Sequence, residues 1–131
     1  MTDEVRDKFY NQTMSEVVYL IPGELPIDAV GLWQIVPKGR DGFSLSGSAL
    51  ADFVGRCIHA LLEAGAVPVR GGKGTGYEWI MQSQYGATKD QIVENVVREW
   101  QQMTDDPLVL CGEGVWFALP DPAYPKYVKL D

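Results

Sequence analysis

The most regular signal in the chain is an apolar series at helical spacing. Leu50, Phe53, Val54, Cys57, Ile58, Leu61 and Leu62 recur at i, i+3, i+4, i+7, i+8, i+11 and i+12. One side of a helix has that period, which predicts a helix over 47–64. Ser46 or Ser48 can cap its start, and Gly65 stands where a left-handed residue follows a helix. A second helix opens at Thr88, which forms a capping box with Gln91. Ile92, Val93, Val96, Val97, Trp100 and Met103 share its apolar face. Glu94 and Arg98 pair on the other side, and Asp105-Asp106-Pro107 ends the run. Residues 3–12 are highly charged and read as a short helix with Thr2 as N-cap and Val5 and Phe9 as a thin stripe.

Between these helices the pattern changes to short β-branched and aromatic runs. Val17-Val18-Tyr19-Leu20-Ile21 either extends the first helix or forms a short strand, and its β-branched content tilts towards a strand. Residues 30–36 read as a strand stopped by Pro37, and residues 38–42 as a turn. Residues 66–70 read as a strand in which Pro68 marks an edge or an end. A glycine-rich loop at 71–76 separates it from a strand over 77–83. Residues 108–111 and 115–119 flank Gly112-Glu113-Gly114 as a hairpin. The tail, 120–131, holds three prolines and reads as extended.

These elements define one domain over 1–131 of class α+β. It has a single mixed β-sheet of about four to six strands, packed with two long helices and a short N-terminal helix. Strand 30–36, helix 47–64 and strand 66–70 suit a right-handed crossover unit.

Charge narrows the functions open to such a domain. A net charge of −7 opposes non-specific binding to nucleic acid or to an anionic membrane. No apolar run reaches the ~18 residues of a membrane helix. The opening Met1-Thr2-Asp3-Glu4 lacks the basic and apolar regions of a signal peptide, so a cytoplasmic location is expected. Cys57 and Cys111 are too few for a disulfide scaffold, and with His59 as the single histidine they supply no zinc ligand set. Neither a metal nor a cofactor is implied.

Motifs for nucleotide binding fail on spacing. Lys73 lacks the preceding glycine of a P-loop, and Gly-x-Gly-x-x-Gly breaks at Tyr77 from Gly72 and at Trp79 from Gly74. A less familiar constellation survives. Lys38 and Arg40 lie in one loop, Arg70 and Lys73 in another. Parallel strands 30–36 and 66–70 would bring both loops to the end of the sheet where Ser46 opens the long helix, a setting that favours anions. His59 shares a helix side with Asp52, Arg56 and Glu63, and the bland reading is a solvated ion pair with Glu63. Cys57 falls on the apolar helix face, where packing rather than chemistry is expected. Eighteen acidic residues make chance carboxylate pairs inevitable. Glu78, in a strand beside Trp79, is read as a solvent-facing residue.

The aromatic residues carry more information. Several strands are apolar on both faces, so either helices cover both faces of the sheet or one face meets a partner. Trp33, Tyr77, Trp79, Trp116, Tyr124 and Tyr127 are the candidate contact residues, since Trp and Tyr combine area with a polar handle. The tail tyrosines can fill the gap on their own subunit or across a dimer. The leading reading is a small acidic cytoplasmic protein-interaction module, of adaptor or immunity type. It would act through this aromatic sheet face or its acidic surface, with a homodimer as the natural version, rather than as an enzyme. The second reading is a protein for phosphate or another small anion, with enzymes included, that uses Lys38, Arg40, Ser46, Arg70 and Lys73.

Overall fold

The computed structural model describes residues 5–102 and 114–130. Thr13 starts the first helix, α1 (Met14–Leu20), through a capping box in which its side chain accepts the Glu16 N–H and Glu16 accepts the Thr13 N–H. Val17 and Ile21 are buried one turn apart, so the β-branched run 17–21 is helical and not a strand. Capping and a buried helical pair outweigh a weak strand propensity.

The helix expected over 3–12 does not form in the residues described. Asp7 carries the reason. Its carboxylate accepts the backbone N–H groups of Phe9, Tyr10 and Gln12 at 3.1, 3.0 and 2.7 Å, and Asn11 takes a left-handed φ of 55°. A side chain that captures these donors replaces the helical ladder with a turn. Burial alone pushes the Asp7 pKa up, but the bonds from Gln12, Tyr10 and Phe9, with Lys38 nearby, hold it below the ordinary carboxylate value.

The strand expected over 30–36 is two residues long. β1 (Val30–Gly31) gives way at once to α2 (Leu32–Pro37). The Gln34 side chain accepts the Gly31 N–H, and Leu32, Ile35 and Val36 are buried together. Their i, i+3, i+4 spacing is the helical period that the β-branched composition concealed. A π-type turn over Lys38–Gly42 then reverses the chain, with the Gly39 carbonyl accepting from both Phe43 and Leu45.

The two long helices stand where the apolar spacing puts them. In α3 (Gly47–Glu63) every residue of the predicted face is buried, and Gly65 takes φ +100° just beyond the end. Ser46 occupies the N-cap position without a side-chain cap bond. Both bonds of the Thr88–Gln91 capping box precede α4 (Lys89–Gln102), and Arg98 meets Glu94 at 2.6 Å. Met103 and the 108–111 arm of the expected hairpin lie outside the described residues.

The remaining strands are β2 (Val67–Gly71), β3 (Trp79–Met81), β4 (Trp116–Ala118) and β5 (Val128–Lys129), in the spatial order β1-β4-β2-β3-β5. Among the described residues this is an α+β fold with a single mixed five-stranded sheet. β1 and β2 both run antiparallel to β4, so they point the same way, as a crossover requires, but β4 lies between them. The tail is not extended throughout. It turns at 122–127 and ends as β5, parallel to β3. One large core joins α1 to α4 with Val30, Val115 and Phe117 from the sheet side.

Two outcomes test this account. A Cβ at Gly39 would lie 2.6 Å from Phe53 Cδ2 and 2.8 Å from Leu50 Cδ1. Gly39→Ala is therefore expected to lower stability by about 1–3 kcal/mol in denaturant titration. Because the Asp7 pKa is depressed on folding, its contribution is complete above the ordinary carboxylate pKa and is lost as pH falls through the lower folded value. Asp7→Asn should be less stable than the parent at neutral pH, with the gap closing in acid. Denaturation midpoints at neutral and acid pH check the sign.

Candidate interaction surface

Strand alternation divides the sheet into two unlike faces. On one face Phe117, Pro68 and Arg70 turn towards the helices. Phe117 joins the main core, and Arg70 reaches Glu99 of α4. On the other, Trp116 lies opposite Val69, and Val69 opposite Met81. Ala29, Val69, Ala118 and Val128 form a second buried cluster here, with Val67, Trp79, Trp116 and Tyr127 packed against it. Among the described residues, strands and loops alone build this cluster.

Three tryptophans cap the face. Trp116 stands between Trp33, at 6.1 Å between ring centroids, and Trp79, at 5.3 Å, and both pairs are tilted. Trp33 comes from α2, where the early helical turn after Gly31 swings it over the sheet. Gly31 has no Cβ, and that lets the Trp33 and Trp116 rings close over it. Trp33 remains 42% exposed, while Trp79 and Trp116 are half-buried.

Segment 119–127 runs from the end of β4 to β5 on this side. Tyr127 packs into the cluster, and Tyr124 is exposed. A groove of about 480 Å³ opens between this segment and residues 25–27, lined by Leu25, Ile27, Leu119, Tyr124 and Tyr127. Burial pushes the Tyr127 pKa up, and the charges of Asp28 and Glu78 add to the rise. The Trp79 Nε1–H is buried near that hydroxyl but falls short of hydrogen-bond geometry. Tyr77 holds the rim, with Lys129 Nζ 5.9 Å from its ring centre.

Four of the six aromatic residues singled out in the sequence therefore meet: Trp33, Trp79, Trp116 and Tyr127. Tyr77 and Tyr124 lie at the margins. The aliphatic floor of Val67, Val69 and Ala118 was missed. Its signal is the alternation of valine with Pro68 and Arg70 along β2.

The basic residues are placed otherwise. Lys38 faces Asp7 and lines a small groove with Tyr10, Leu20 and Glu24. Arg40 closes on Asp41 through two hydrogen bonds of 3.0 Å. Arg70 donates to Glu99 Oε1 and to the Tyr85 hydroxyl, both at 3.0 Å, and Tyr85 donates to the same Glu99 oxygen at 2.8 Å. Ser46 and Lys73 are exposed. Helix α2 separates the Lys38–Arg40 turn from the end of β1, so the expected strand 30–36 does not lead directly into that turn. An anion at Arg40 or Arg70 would compete with a carboxylate already in contact.

His59 meets Glu63 Oε1 at 3.8 Å, as its helix position suggests, and lines a groove between α3 and α4 with Arg56, Glu94 and Arg98. Burial raises the Cys57 thiol to about 12, which keeps it protonated and unreactive at neutral pH. Cys111 lies outside the described residues. Among the described residues no three His, Cys, Asp or Glu side chains group as metal ligands, and no helix is long and apolar enough to cross a membrane. Comparison of the chain with family models, curated proteins and solved structures gives no match.

A Cβ at Gly31 would lie 2.9 Å from both Trp116 Cδ2 and Trp33 Cδ1. Gly31→Ala should part the two indoles and reduce the near-ultraviolet circular dichroism of the tryptophans, with the far-ultraviolet spectrum retained. An unchanged near-ultraviolet spectrum would show that the rings do not close over Gly31.

Proposed function

We propose that this chain is a small acidic cytoplasmic protein-interaction module of adaptor or immunity type, whose contact surface is the aromatic sheet face. The observation that carries the reading is the Trp33–Trp116–Trp79 array on the face that bears the second, smaller cluster. Apolar sheet faces are ordinarily covered by another layer. Trp33 is 42% exposed, yet its Trp116 contact holds it in place, so little side-chain freedom remains to be lost on binding. A pre-ordered indole of this kind suits the centre of a protein contact, where Trp and Tyr dominate binding energy.

Pairing of two copies about a two-fold axis is the simplest version. The charge of −7 on each copy opposes that pairing at long range, so added salt should strengthen it. Sedimentation over a range of concentrations is expected to show a reversible dimer, tighter in salt, with Trp33→Ser weakening it about tenfold or more. A monomer at every concentration excludes the symmetric version. If affinity capture with the parent and with Trp33→Ser then also returns the same proteins in the same amounts, the aromatic face is not a contact surface.

A further inference from the structure

The aromatic face already holds one segment of the chain itself, the tail that turns at 122–127 and ends as β5. Its strand pairing with β3 is two residues long. The Glu78 N–H donates to the Lys126 carbonyl at 3.0 Å and the Trp79 N–H to the Tyr127 carbonyl at 2.9 Å, and the parallel register covers only Trp79↔Val128 and Ile80↔Lys129. Val128 is buried and Tyr127 half-buried, while Ala123, Tyr124, Pro125, Lys126, Lys129 and Leu130 are exposed. The fit is also imperfect. Trp79 Nε1–H is buried near the Tyr127 hydroxyl without reaching hydrogen-bond geometry, and a buried donor left unsatisfied weakens the arrangement that buries it.

We propose that the β5 segment is a displaceable strap, and that the site it occupies on β3 takes an extended lysine- and tyrosine-bearing segment of another protein as a parallel strand. This rests on the reading of the aromatic face as a contact surface and names what binds beside the tryptophans. The four residues that meet β3, Lys126-Tyr127-Val128-Lys129, are the template for the ligand. Its lysines suit the acidic surroundings: Asp28 and Glu78 act on Tyr127, and the whole chain is strongly negative. Main-chain pairing with β3 gives affinity, and the pocket for the Tyr127 ring gives specificity. An incoming strand that sets an acceptor in hydrogen-bond geometry with Trp79 Nε1 outcompetes the strap, whose Tyr127 hydroxyl lies near but falls short of it.

The test uses the full chain and a fluorescent peptide of residues 124–130. Tyr127→Ser with Val128→Ser in the protein loosens the strap without touching β3. This double variant is expected to bind the peptide about tenfold or more tightly than the parent, with affinity falling as salt rises and falling again on adding Glu78→Lys. Equal binding by parent and double variant, or binding by neither, overturns the proposal.

Should the double variant fail to fold, hydrogen exchange on the parent decides. The Trp79 amide is expected to exchange about a hundredfold or more faster than the amides of β4, through local release of β5. Exchange of Trp79 at the rate of β4 overturns the strap. If peptide exchange fails while Trp33→Ser still weakens association, the contact face stands and the displaceable strap alone is lost.

Discussion

Everything in this fold depends on how three consecutive residues of β4 divide between two environments. Phe117 enters the helical core with no exposed surface, while Trp116 and Ala118 point away from it. β4 lies between β1 and β2, so this alternation sets the register of both neighbours: Val30 and Pro68 flank Phe117, and Gly31 and Val69 flank Trp116. A slip by one residue would drive an indole into the packed helices and bring Phe117 to the opposite face. The cost of such an exchange, together with the absence of a Cβ at Gly31, fixes where the tryptophan array forms.

The helices were legible because their signals are long and local. The apolar series of α3 spans four turns, and the capping box of α4 needs only two residues. Short elements were not. Strand and helix compete closely in 17–21 and 32–37, where β-branched residues suggest one answer and burial at i, i+3 and i+4 imposes the other. At Asp7 a side chain within a charged run captures three backbone donors and ends a helix before it starts. Those donors lie two to five residues further on, and the composition of a charged run does not show which carboxylate will capture them.

The same distinction applies to function. That the aromatic residues would share a surface followed from strands apolar on both sides. That Trp33 would join from a helix rather than from a strand did not. The basic constellation depended on a strand over 30–36 that runs straight into the Lys38–Arg40 loop, and a six-residue helix after Gly31 takes that strand's place. What those cations do instead is local: Arg40 stiffens a turn through Asp41, and Arg70 ties β2 to α4 through Glu99 and Tyr85. Ionic contacts of this half-exposed kind orient elements more than they stabilise them.

The brevity of β1 and β5 has a consequence of its own. Each margin of the described sheet offers only two residues of ladder, too few to nucleate stacking of chain upon chain into fibres. A polypeptide this rich in indoles would otherwise be a hazard at cellular concentrations. Truncated borders leave little free ladder for a further chain on either side of the tryptophans.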